Sequence, residues 1–423
     1  MASYILTKSG QEKAQKISQD YNDCQIAKKT KLHRHTVSKI INSNNKVRFR
    51  TLEDFFSPFK FDLEKQDYEE FQNDNKTTIR NTGDYYVKRP SIEQQVYESL
   101  LSPNYILRIK APKKMGKTIL IKRVLKKLKG KENYPIVSIS FQEADNSHLS
   151  ELNELLRWLC ANVSSQLKLP VQLDNWNNSN QELGSKMTCI NYFEKYLLPK
   201  LKYPMVLFLD NLELLFRNEN ISQDFLGMLR SWNDRASINP LWQKLRLVIS
   251  YAPNVEIKMN PNQSPFNIGT AIELPEFTLE EVQKLAEIYQ LNLNIYQVRE
   301  LTKMVGGHPY LVELTFRNLK TRNNMTLEKI LETAPTKDGI YHSPHLQEYL
   351  AILKQNPDGV LKEYPDLAKY FLKIIKGEDI ANIKSDVIKT LMNLGLVKDK
   401  DGKILVGCEL YRLYFESYLG DVE

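Results

Sequence analysis

The chain has 423 residues, 42% hydrophobic and 26% charged, with a formal net charge of +8. It is too long for one ordinary core and too apolar for extended disorder, so three or more folded domains are expected from the usual ~100–200 residues per domain. No apolar run approaches the ~18 residues of a membrane span, the opening MASYILTKSGQEK lacks the apolar centre of a secretory signal, and Cys24, Cys160, Cys189 and Cys408 form no C-x-x-C pair. None of these features suggests membrane insertion, secretion, a structural metal or a disulfide framework, and a cytoplasmic location is expected.

Residues 1–71 carry apolar-periodic segments separated by polar turns, which predicts a small helical domain. Between Cys24 and Arg50 lie Lys28, Lys29, Lys31, Arg34, Lys39, Lys46, Arg48 and Arg50 with no acidic residue, equal to the whole charge excess of the chain. Such a concentration is the electrostatic footprint of a nucleic-acid-binding module. Within it, QIAKKTKLHRHTVSKIIN has helix-turn-helix spacing. Ala27 stands where the helices cross, Leu32, Val37 and Ile40 face the core, and Lys31 takes the turn position where glycine is usual. Arg34, His35, Ser38 and Lys39 are left on the outer face of the second helix to read duplex DNA, and Lys46, Arg48 and Arg50 to hold phosphates. The alternative is a helical bundle whose basic face meets protein.

Residues 72–84 are poor in apolar residues, carry Gly83 near their end, and are read as a linker. From 85 to 276 short apolar runs alternate with amphipathic stretches, which predicts a parallel sheet with flanking helices. The strand candidates are Tyr105–Lys110, Pro135–Phe141, Met205–Asp210, Leu245–Tyr251 and Ala271–Leu274. A helical lid is expected over 277–340, broken at GGHPY. Residues 341–423 read as helices followed by a hairpin at Asp401-Gly402, the order of a winged helix.

The segment Ala111-Pro112-Lys113-Lys114-Met115-Gly116-Lys117-Thr118 lies between a strand and a helix and reads as a phosphate loop for ATP or ADP. Gly116 permits close backbone approach, Lys117 reaches the outer phosphates, and Thr118 is a ligand for Mg2+. Ala111 replaces the usual first glycine. Asp210, ending an apolar strand, is the expected second Mg2+ residue. Many hydrolysing ATPases place a glutamate directly after it, where this chain has Asn211, whose amide positions water but accepts no proton. Glu213 is the nearby carboxylate, and Ser250 is a candidate γ-phosphate sensor. Slow turnover through Glu213 and nucleotide retention without turnover are the alternatives.

The motifs YYVKRPSIEQQVYESL, IKAPKKMGKTILIKRVL, VLFLDNLELLF, LRLVIS, SPFNIGTAIELPEFT, GGHPYLVELTF and CELYRLYF, in this order, resemble the AAA-like domain family of the signal-transduction ATPases with numerous domains (STAND), relatives of the AAA+ proteins. The resemblance implies an α/β P-loop NTPase fold. It places Arg89 and Glu93 on the adenine side, with Lys88 where glycine is common, and Pro309 of Gly307-His308-Pro309 near the adenine. Arg230 and Arg235 become candidate trans-acting arginines of a homo-oligomer, with surface ion pairing as the alternative. It further implies an ATP-controlled switch in signalling, transcription control or antiphage defence, triggered by a partner. A DNA-dependent ATPase of transposition or DNA remodelling, and a nucleotide-bound protein-interaction adaptor, are the competing expectations.

Overall fold

The computed structural model describes residues 4–30, 32–42, 49–70, 85–103, 106–253, 264–322, 324–355 and 366–420. The chain divides into two compact units, Met1–Tyr85 and Tyr86–Glu423.

The first unit holds β1 (Tyr4–Leu6), α1 (Lys8–Asp20), α2 (Asp23–Thr30), α3 (Arg34–Asn42), α4 (Phe49–Phe56) and β2 (Tyr68–Glu70). Its core is built from Ala14, Ile17, Ile26, Val37, Ile40, Leu52, Phe55 and Phe56. Helices alone are predicted for this segment, yet β1 and β2 pair antiparallel. Three-residue strands are too short to show an alternating pattern, so the ribbon leaves no trace in the sequence. It is pinned by the buried carboxylate of Asp67, which accepts from Lys13 Nζ at 2.6 Å, Ser9 Oγ at 2.8 Å and the Glu64 N–H at 2.8 Å. Burial opposes the charge on Asp67, but these donors outweigh it and hold the carboxyl below its ordinary value.

The second unit opens with α5 (Pro90–Leu101), β3 (Ile106–Lys110), α6 (Lys117–Glu132) and β4 (Ile136–Ser140). Between β4 and the next strand lie α7 (Asn146–Ser150), α8 (Leu152–Gln166) and α9 (Trp176–Tyr192), then come β5 (Met205–Asp210), α10 (Glu219–Arg235), β6 (Leu245–Tyr251) and β7 (Thr270–Glu273). The strands form one sheet in the order β4-β5-β6-β3-β7, every pairing parallel. Successive residues of a strand face opposite sides, so a sheet covered on both faces needs uninterrupted apolar runs. Phe208 and Val206 of β5 meet Val96, Ile121, Val124 and Leu128 of α5 and α6, whereas Leu207 and Leu209 meet Leu156, Cys160, Ile190 and Phe225 on the other face.

A helical array follows: α11 (Leu279–Ile288), α12 (Ile295–Val305), α13 (Pro309–Thr321), α14 (Leu327–Thr333), α15 (Gln347–Gln355), α16 (Leu367–Lys376) and α17 (Ser385–Leu394). The antiparallel hairpin of β8 (Val397–Lys400) and β9 (Lys403–Val406) comes next, and α18 (Glu409–Leu419) closes it. Asp401 (φ 56°) and Gly402 (φ 80°) are both left-handed, as a two-residue hairpin turn requires. Thr278 with Glu281 and Asn294 with Gln297 form capping boxes that start α11 and α12. All of these helices share one core, in which Val298 and Phe316 belong to the same cluster as Phe371 and Phe415.

Candidate nucleotide-binding site

Because β6 lies between β3 and β5, the loop leaving β3 and the carboxylate ending β5 are one strand apart at the same edge of the sheet. Gly116 caps α6 at φ 89°, ψ 13°, and a Cβ built on it meets nothing within 4 Å, so the loop opens onto free space there. The first turn of α6 contains no acidic residue, which leaves its N–H groups and positive helix end to an anion. Thr118 Oγ1 donates to Asp210 Oδ2 at 2.7 Å, bringing the two expected metal-side oxygens together.

Lys117 Nζ donates to the carbonyls of Ala111 (2.8 Å) and Pro112 (2.9 Å). Burial lowers its pKa to about 8, against the opposing charges of Glu213 and Asp210. Glu213 Oε2 accepts the Ala252 N–H at 3.1 Å, and burial pushes its carboxyl above the ordinary value. Asn211, left-handed at φ 59°, turns its amide onto Ser140 Oγ at 3.2 Å. Ser250 is fully buried, and its Oγ has no hydrogen-bond partner among the described residues. An orphaned hydroxyl at the end of the strand between Lys117 and Asp210 suits a further acceptor supplied from outside the protein.

The remaining loop residues face the helical array. Lys113 Nζ and Lys114 Nζ meet the two oxygens of Glu348 at 2.8 and 3.0 Å, and Lys114 also donates to the Pro344 carbonyl at 2.7 Å. A Cβ on Gly395 (φ 77°) would lie 3.0 Å from Pro112 Cγ, so the end of α17 rests directly on the loop. Ala111 and Met115 are buried with Leu120 and Leu274, flanked by Tyr86 and Ile92. Tyr86 donates to Glu93 at 2.9 Å beneath Arg123, whose guanidinium is 4.2 Å from the ring centre. Neither Glu348 nor Tyr86 carries a sequence signal for this site. An aromatic residue just before VKRP marks Tyr86 only in retrospect, and Glu348 is joined to the loop by long-range packing.

Other candidates are placed apart or are already matched. Arg89 donates to the Pro275 carbonyl at 2.9 Å and to Glu281 at 3.1 Å, and lies 4.7 Å from the Phe277 ring centre, so its charge ties the start of α5 to the start of α11. Pro309 begins α13 and is buried. Its neighbour His308 packs against His345 (ring centres 5.0 Å apart), and burial lowers the His308 pKa to about 4. Arg230 pairs with Asp234 one turn along α10, and Arg235 with Glu194. In the first unit Val37 and Ile40 are buried, Arg34 is exposed and Ser38 half-buried on α3. Lys31, Lys46, Arg48 and the side chains of His35 and Lys39 lie outside the described residues, as does the 72–84 segment.

The donors fit a nucleoside polyphosphate with a divalent cation: open N–H groups at Gly116, the Lys117 ammonium, and the Thr118–Asp210 oxygen pair. Among the described residues no helix is long and apolar enough to cross a membrane. An AAA-like domain model matches residues 74–417, and no curated protein matches by sequence. Among solved structures, the Walker-type ATPase of Pyrococcus abyssi is similar at 13% identity and a TM-score of 0.53, over 78% of this chain and 96% of that one. The ORC2 protein of Aeropyrum pernix is similar at 12% identity and a TM-score of 0.47, over 81% and 98%. The likeness to the Pyrococcus protein shows a shared fold, that of an α/β P-loop NTPase.

Proposed function

The chain belongs to the AAA-like domain family, and from that premise we propose that it is an ATP-binding regulatory switch of the STAND type that holds duplex DNA through its N-terminal unit. Lys117 and the N–H groups of the loop and α6 receive the phosphates, and Thr118 with Asp210 receives Mg2+. Bound Mg2+ supplies the charge that neutralises the outer phosphates. The observation carrying the switch over a motor is the pair Asn211–Ser140: the residue after Asp210 is an amide already bonded within the protein. No carboxylate stands there to accept a proton from water. Family members of this kind serve signalling, transcription control and antiphage defence, and we assign the chain to that group, with ATP-dependent self-assembly as its output.

The test measures retention and turnover of ATP by the full chain, with and without duplex DNA. The switch predicts retained nucleotide and turnover well below ~1 per second, at the slow end of enzyme rates. Fast turnover stimulated by DNA would replace it with a second reading, a DNA-dependent ATPase of a transposition or remodelling system. One observation favours that second reading: Glu213, with its carboxyl pushed up by burial near Lys117, has the character of a general base. Glu213→Gln then abolishes turnover while leaving nucleotide binding in place. Loss of duplex binding in Arg34→Ala/Lys39→Ala supports the N-terminal assignment, and unchanged binding overturns it.

A further inference from the structure

Helix α6 carries more than the start of the nucleotide site. Its buried stripe of Ile121, Val124, Leu125 and Leu128 packs on the sheet. On one flank of that stripe Lys122, Lys126 and Lys129 recur at helical spacing, all exposed, while Lys127 and Lys131 are exposed on the other flank. At 1.5 Å rise per residue the three-lysine row runs about 10 Å along one face. Carboxylates of α5 and of the end of α6 are engaged by other groups: Glu93 accepts from Tyr86, Glu98 from Gln94, and Glu132 from Tyr97. No ion pair to these lysines is found among the described residues.

We propose that this face is a DNA-binding surface of the second unit, in which Lys122, Lys126 and Lys129 grip the phosphate backbone of a duplex. A rigid row of like charges without counter-ions complements a polyanion and is otherwise self-repelling. A straight helix presenting a fixed lysine row suits a stiff duplex. Single strands are gripped by stacking bases on open aromatic rings, whereas here the rings of Tyr86 and Tyr97 lie beneath Arg123 and Lys127. An anionic membrane would require an apolar face to insert, and the apolar face of α6 is already buried in the core. The contact does not depend on the N-terminal unit binding DNA.

The test titrates a short fluorescein-labelled duplex with the full chain across salt concentrations. Three phosphate contacts contribute about 2.7 to the slope of log affinity against log salt. The triple variant Lys122→Gln, Lys126→Gln, Lys129→Gln therefore loses that much slope, so between about 50 and 200 mM salt the wild type loses roughly 40-fold more affinity than the variant. The corresponding Lys→Arg triple keeps the slope, which separates charge from any effect on the helix. An unchanged slope in the Gln variant, no duplex binding by the wild type, or preference for phosphatidylserine vesicles over duplex overturns the proposal. Arg34→Ala/Lys39→Ala is measured beside it: a slope abolished there and unaffected by the α6 triple leaves only the N-terminal reading standing, and the reverse result leaves only this one.

Discussion

Lys117 illustrates how one side chain reports the state of the site. Its ammonium is held by two loop carbonyls and its pKa is lowered to about 8 by burial. A phosphate arriving nearby favours the charged form, so binding draws a proton onto Lys117 once the pH exceeds about 8. Triphosphate affinity is expected to be level below pH 8 and to fall about tenfold per pH unit from there toward 10.5, as read with a fluorescent nucleotide at a series of pH values. Lys117→Met is expected to flatten that profile and weaken binding about 100-fold, the loss of a charge-assisted bond of roughly 3 kcal/mol. Asp210→Asn acts on the metal instead: affinity drops in Mg2+ but hardly changes in EDTA. Gly116, Lys117, Thr118 and Asp210 were legible because their spacing and flanking strands are local features. Arg89 was legible as a motif residue, but its bonds to Pro275 and Glu281 depend on packing that no spacing encodes.

Among the elements, the contact between the loop and the helical array is the least visible in sequence and the most open to test. Glu348 at the start of α15 closes on Lys113 and Lys114, both half-exposed pairs worth about 0.2–1 kcal/mol each. Glu348→Gln is expected to speed both association and release of nucleotide by roughly fivefold, the equivalent of ~1 kcal/mol. Stopped-flow rates check this, and unchanged rates would show the ion pairs to be inert. The central strands β5 and β6 were readable because burial on both faces demands unbroken apolar runs. The β1–β2 ribbon was not, being too short for any period to appear. The basic face of α6 was hidden for a different reason. Net charge sums over the whole chain, whereas a local field extends only about 10 Å through salt water, so residues 24–50 can equal the entire excess while α6 still carries a second cationic surface.

Taken as a whole, the second unit buries two imidazoles where the helical array meets the loop. His308 is lowered to about 4, first by burial and then by the nearby lysines, and His345 is lowered by burial, then by His308 and Lys114, while bonding Tyr411 at 2.6 Å. A histidine whose folded pKa lies below its unfolded value stabilises the fold above pH 6.5 and loses that contribution as the pH falls toward 4. His308 alone removes about 1.4 kcal/mol per pH unit within that window. Glu213, raised by burial, acts in the opposite sense, so the informative quantity is the difference between wild type and His308→Gln in urea midpoints from pH 7 to 5. The wild type is expected to lose more stability on acidification than the variant. The contact of Gly395 with Pro112 bears on how the protein is made. The ribosome delivers the sheet and its phosphate loop well before α17 exists, so the nascent chain presents Pro112 uncovered until the later-made α17 packs on it. Nucleotide captured during translation would thus meet the loop before α17 does, and the order of synthesis would decide which molecules bind it first.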